Sequence, residues 1–217
     1  MANNIKTTMK TQFSEIITTV EELREVIGYP SHRVTDIAIP KLDKHCRAFI
    51  AKSPLVFIAS SDNNGNMDIS PKGDPPGFVQ IINDNTLAIP DRPGNRRADT
   101  FQNILENPKV GLFFLVPGKG GTLRISGTAI IVRDKALRES MAINGKIPDF
   151  ALIVNIKEAF FHCAKCMLRS KIWQSEHWQS IDDLPSLAQT MIDAANLKES
   201  LEEMEALIEQ DERYGLY

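Results

Sequence analysis

The chain has 217 residues, with 25 Lys and Arg against 28 Asp and Glu, a net charge of -3 and a pI near 5.8. That balance argues against general binding to nucleic acid or to an anionic membrane surface, which needs a basic face, and it leaves room only for a local basic pocket. The length suits one sizeable core with appended helices. Three cysteines cannot all pair, and no apolar leader follows the polar start Met-Ala-Asn-Asn-Ile-Lys, so a reduced, soluble, cytoplasmic protein without membrane spans is expected.

Val20, Leu23, Val26 and Ile27 give residues 21–27 the apolar face of a helix, which Gly28-Tyr29-Pro30 ends. Leu42, Cys46, Phe49 and Ile50 recur at helical spacing and predict a second helix over 43–51, closed by Lys52-Ser53-Pro54. From Leu55 the period changes to two. Residues 55–61 read as a strand, Asp62-Asn-Asn-Gly65 as a hairpin turn, and 67–70 as the returning strand. Residues 78–82 and 86–89 form a second hairpin across Asn83-Asp-Asn85. The apolar run 110–116 is expected to be a strand buried on both faces. Gly118-Lys-Gly-Gly121 lacks the spacing of a P-loop and reads as a hairpin tip. In the next strand, 123–132, Leu123, Ile125, Gly127, Ala129 and Ile131 share one face, and Arg124, Ser126 and Thr128 the other. A helix over 135–144 and a strand over 151–156 follow, and leucines and methionines between Leu184 and Ile208 mark one or two amphipathic tail helices. Six or more antiparallel strands joined by short hairpins favour a small barrel, because closure removes exposed edges.

The segment from Thr86 to Leu105 carries the chemistry. Pro93-Gly94 breaks a strand, Asn95 is a good N-cap, and Ala98, Phe101 and Leu105 predict a helix starting near Arg96. Arg96 and Arg97 then fall in its first turn, where the helix dipole disfavours cations unless an anion binds. A phosphate would resolve the conflict through backbone N–H groups and two guanidinium forks. A solvated surface pair is the competing reading.

Four blocks, Asp68-Ile-Ser-Pro-Lys-Gly-Asp74, Pro90-Asp-Arg-Pro-Gly-Asn-Arg-Arg97, Leu123-Arg-Ile-Ser-Gly127 and Phe161-His-Cys-Ala-Lys165 with Arg169-Ser170 and Trp173, stand in the order found in a known family. Over residues 45–175, and weakly into the amino-terminal arm, the chain resembles the pyridoxamine 5'-phosphate oxidase-like, FMN-binding split barrels, in particular their FMN-dependent enzyme branch. The resemblance implies an α+β, mainly β fold: an antiparallel split β-barrel over 53–175, between an N-terminal helical arm (1–52) and a C-terminal helical extension (176–217). It also implies a homodimer with FMN at the interface, acting as an oxidoreductase on a small molecule.

In that family the FMN phosphate is held by the positions matching Asn95, Arg96 and Arg97 and by polar or basic residues on the strand matching Asp68 to Lys72, which makes Ser70 and Lys72 second candidates. Read alone, Lys72 between Pro71 and Gly73 is a turn lysine. Asp91 and Arg92 are candidates for the ribityl chain or ring edge, and Arg124 either lines the pocket or pairs with a carboxylate. Lys165, Arg169 and Trp173 are either polar groups carried toward the cofactor or an ordinary amphipathic helix. His162, Cys163 and Cys166 lack a fourth zinc ligand unless His45-Cys46 approaches, and no thioredoxin-like pattern surrounds them, so no metal is expected. No Ser-His-Asp set or paired catalytic carboxylates emerge from spacing. A flavoprotein needs neither, since the isoalloxazine supplies the redox chemistry and the protein positions the substrate and excludes water. The rival expectations are an F420-dependent barrel, and a haem or tetrapyrrole carrier with His162 or His45 as ligand.

Overall fold

In the computed structural model, residues 13–217 are described. The polar start read above lies outside them. The chain separates after Ile37 into two units. The first contains helix α1 (Val20–Ile27), closed by a capping box in which Thr19 and Glu22 satisfy each other's backbone N–H groups, and the one-turn helix α2 (His32–Thr35). No residue of either helix is buried. Gly28 ends α1 with φ 69°, a conformation that glycine reaches without steric cost.

The second unit, from Ala38, holds all seven strands: β1 (Leu55–Ser61), β2 (Met67–Gly73), β3 (Gln80–Asn83), β4 (Thr86–Pro90), β5 (Lys109–Leu115), β6 (Thr122–Val132) and β7 (Ala151–His162). They pair antiparallel in the order β2-β1-β5-β6-β7-β4-β3. β2 and β3 are the two ends of this split barrel. An edge position explains how β2 tolerates Pro71 in mid-strand: Pro71 pairs with Phe57 on one side and needs no ladder partner on the other. Pro90 ends β4 beyond the point where β3 stops opposite Ala88.

Alternation sets the core. On β6 Leu123, Ile125, Gly127 and Ala129 are buried while Arg124, Ser126 and Thr128 face out. A bulge opposite Ser126 and Gly127 leaves Lys157 of β7 without a partner in the register. Gly127 lies so close to β7 there that a Cβ would stand 2.1 Å from the Asn155 carbonyl oxygen. β5 differs from its expectation: Val110, Leu112 and Phe114 are buried, but Gly111, Phe113 and Leu115 are only half-buried, so one face alone belongs to the core. β7 runs six residues beyond the predicted strand and carries His162 at its end.

Helix α3 (Lys44–Ile50) is capped by Asp43, whose carboxylate accepts from the His45 and Cys46 amides, and it sinks Cys46, Phe49 and Ile50 into the barrel core. Burial, with the nearby Asp43 carboxylate, pushes the Cys46 thiol up to about 11. Helix α4 (Asp99–Glu106) rests on β1, β2 and β6, with Asn103 and Asn107 bonded to the Ser60 and Ser61 hydroxyls at 3.1 and 3.0 Å. After α5 (Lys135–Ser140) and α6 (Lys165–Ser170), the predicted tail resolves into two helices, α7 (Leu187–Ala195) and α8 (Leu201–Tyr214), which pack on each other. No described helix is long and apolar enough to cross a membrane.

Candidate functional site

A cavity of about 1100 Å³ lies between β2, the segment 91–101, the loop 145–150 and the end of α8. Period-two geometry turns Asp68, Ser70 and Lys72 onto the half-buried side of edge strand β2, while Met67, Ile69 and Pro71 are exposed. Across from them runs the loop from Asp91 to Ala98, which joins β4 to α4. Seven of the sequence candidates meet at this cavity: Ser70, Lys72, Asp91, Arg92, Asn95, Arg96 and Arg97.

The loop corrects the predicted helix start. Arg96 and Ala98 adopt left-handed conformations with φ 60° and 57°, and α4 begins only at Asp99. Asn95 is no N-cap; its side-chain oxygen accepts from the Arg97 amide at 3.0 Å and closes a local turn. The arginines therefore precede the helix, and its first turn carries Asp99, the sign of charge its dipole favours. Arg97 Nε donates to Asp99 at 2.7 Å on an exposed surface. No anion is needed to explain these positions. What remains is an exposed Arg96 with no ion-pair partner among the described residues.

The neighbouring charges are more constrained. Lys72 Nζ stands 3.7 Å from Asp91 and 5.7 Å from the Phe101 ring centroid. Burial raises the Asp91 carboxyl above its ordinary value, opposed by Lys72 and reinforced by the nearby Asp149. Thr100 donates to Asp68 at 2.7 Å and ties α4 to β2. Arg92 donates Nε to Asp74 at 2.6 Å and Nη2 to the Met141 carbonyl at 3.0 Å, while Tyr217 donates its hydroxyl to the other Asp74 oxygen at 2.8 Å. The free Arg96 fork, the Ser70 hydroxyl without an intramolecular partner among the described residues, and Lys72 form a donor set that suits an oxygen-rich anion such as a phosphate.

The other four candidates lie off this cavity. Arg124 is exposed on β6 with its guanidinium carbon 5.3 Å from the Phe160 ring centroid, and it pairs with no carboxylate among the described residues. Lys165 and Arg169 are exposed on α6. Trp173 donates its indole N–H to the Lys119 carbonyl at 3.0 Å. His45 and His162 are also exposed and away from the cavity, and all three cysteines are free thiols, Cys46 buried and Cys163 and Cys166 exposed.

Sequence reasoning gave no role to Asp74, Tyr217, Lys146 or Asp149. Asp74 closes the quoted block that begins at Asp68, but its pairing with Arg92 spans 18 residues and carries no periodic signal. Tyr217 reaches Asp74 across 143 residues, a separation that no local pattern can report.

An antiparallel split barrel whose edge strand and β4–α4 loop present basic and polar groups to one cavity defines the class of this protein. The pyridoxamine 5'-phosphate oxidase family model matches residues 42–163, more than half of the chain, and the protein belongs to that family. No curated protein matches the chain significantly. Among solved structures, HupZ of Group A Streptococcus is similar at 20% identity, covering 55% of this chain and 93% of that one with a TM-score of 0.45. An FMN-binding protein of Syntrophomonas wolfei is similar at 16% identity, over 53% and 82% of the two chains with a TM-score of 0.43. An F420 reductase is similar at 15% identity, over 56% and 98% with a TM-score of 0.42.

Proposed function

We propose that this protein is an FMN-dependent oxidoreductase of the pyridoxamine 5'-phosphate oxidase-like class, acting on a small molecule. The observation that carries the reading is the meeting of Ser70, Lys72, Asn95, Arg96 and Arg97 at one cavity in a chain of this family. In this reading Arg96 and Arg97 grip the FMN phosphate from the loop and Ser70 and Lys72 from the strand, while Asp91 and Arg92 meet the ribityl chain or ring edge. Arg97 would then share its guanidinium between Asp99 and the phosphate. The bound flavin supplies hydride chemistry; the protein's part is to orient the substrate against it and to keep water away.

Arg124, Lys165, Arg169 and Trp173 enter the same reading through a second subunit. They lie off the cavity of their own chain, so they serve a flavin only if a homodimer brings them to the partner's site. Three free thiols accord with a reducing, cytoplasmic setting. The test is the absorbance spectrum of the purified protein, with mass identification of whatever heat denaturation releases. Released FMN, or tight binding of added FMN, is the expected result. A Soret band, release of F420, or failure to bind added FMN would overturn the assignment.

A further inference from the structure

One buried polar cluster beside the cavity takes no part in holding a phosphate. The Asp74 side chain is 1% exposed, and its two oxygens are divided between the Arg92 guanidinium and the Tyr217 hydroxyl. The Tyr217 ring also faces Arg92, with the guanidinium carbon 5.6 Å from its centroid. With Met141 accepting from Nη2, Arg92 is held on three sides, one of them by a residue from the far end of the second unit.

The segment that delivers Tyr217 is shaped for the purpose. Helix α8 stops at Tyr214, and the Gly215 amide donates to the Asp211 carbonyl at 2.7 Å. A Cβ on Gly215 would lie 2.7 Å from both the Asp211 carbonyl oxygen and its carboxylate, so the chain turns there only because a glycine stands at the corner. Tyr214 and Leu216 on either side are 70% and 63% exposed. Tyr217 is therefore docked by polar contacts to Asp74 and Arg92 and not by burial of its neighbours, and Asp211, Gly215 and Tyr217 together form one wall of the cavity. Such an attachment is specific in geometry yet free to open, because within residues 211–217 only Gly215 and Tyr217 are half-buried and the others are exposed.

We propose that Tyr217 is a latch on this cavity: it closes the wall beside Arg92 and, through Asp74, acts as a positioning residue that holds the Arg92 guanidinium in the orientation a bound ligand requires. The inference rests on the FMN reading for the choice of ligand alone; the docking of the segment stands apart from it. Latch closure and ligand binding are then linked, and each must favour the other by the same factor.

The experiment uses the full chain and follows two signals, FMN affinity by flavin fluorescence and trypsin cleavage after Arg213, read as release of the fragment beginning at Tyr214. In the wild type, FMN is expected to slow that cleavage. Tyr217→Ala is expected to bind FMN at least about fivefold more weakly, to be cut faster without ligand, and to lose the protection by FMN. Tyr217→Phe, which keeps the ring and loses only the hydroxyl, should fall between the two and shows that the effect is not a general loss of fold. Wild-type affinity and wild-type protection in Tyr217→Ala would overturn the latch. If the wild type binds no FMN, the cofactor reading fails by itself. The latch is then read from the ligand-free cleavage rates: faster cutting of Tyr217→Ala sustains it, and equal rates overturn it.

Discussion

Two arginines four residues apart on one loop live in opposite circumstances. Arg92 is largely buried, and two of its five donors are bonded to Asp74 and the Met141 carbonyl under the Tyr217 ring. Arg96 stands exposed at the same cavity with no ion-pair partner among the described residues. A buried guanidinium must be matched inside the protein, since an unpaired charge there carries a large desolvation cost. An exposed one is hydrated and can exchange water for a ligand oxygen. The first is therefore held in place by the protein before any occupant arrives, and the second is held by water alone until one does.

Substitutions can break this contrast at either end. Removing the Asp74 carboxylate strands the Arg92 charge, so Asp74→Ala is expected to destabilise the fold by about 3 to 5 kcal/mol, measured as a shift in the denaturant midpoint. A loss below about 1 kcal/mol would mean that Arg92 is not anchored as described. At the other end, Arg96→Ala with Arg97→Ala should leave the midpoint within about 0.5 kcal/mol, as for ordinary surface changes. The same double variant should weaken FMN by at least roughly 10- to 150-fold, the loss of a single charge-assisted bond of about 1.5 to 3 kcal/mol, since both guanidinium groups are removed. Unchanged affinity in a folded protein would remove the phosphate assignment.

Asn95→Ala deletes the acceptor that closes the turn before Arg97. Its expected stability cost is about 0.5 to 1 kcal/mol, the net worth of one exposed hydrogen bond. Calorimetric titration should show FMN affinity falling by a smaller factor than in the double arginine variant; a loss as large would mean that loop shape, and not guanidinium charge, governs binding.

The smallest effect is expected at Asp91, between the two arginine environments. Burial makes its carboxyl harder to ionise in the folded protein than in the unfolded chain, so the folded state binds more protons from the ordinary value of 3.8 up to the raised one. Stability contributed by this group is present below that window and declines as pH rises through it. Other carboxyls, such as Asp43, are shifted down and act in the opposite sense in both proteins, so the wild-type urea midpoint minus that of Asp91→Asn should fall as pH rises across the acid range. A difference that stays constant with pH would mean that Asp91 is not the raised group.

The strands were legible because their signals are local. The alternation on β6, the Asp62 to Gly65 turn and the helical spacing in α1 and α3 all repeat within a few residues, and the structure follows them, although only α3 buries its apolar face. The loop after β4 was legible as the place to look but not in its geometry. Two left-handed residues postponed the helix by three positions, because Asn95 closes a turn on Arg97 where an N-cap had been expected. β5 differs for a related reason: its apolar composition cannot say that Phe113 and Leu115 are covered only in part.

What the sequence by itself determined is the succession of strands along the chain and the basic, proline-broken loop, since period, turn chemistry and charge are properties of neighbouring residues. Only the tertiary structure decided which charges are spent and which are free. The pairing of Arg92 with Asp74, the arrival of Tyr217 across 143 residues and the solitude of Arg96 depend on how distant segments meet in space, and no local pattern encodes that meeting.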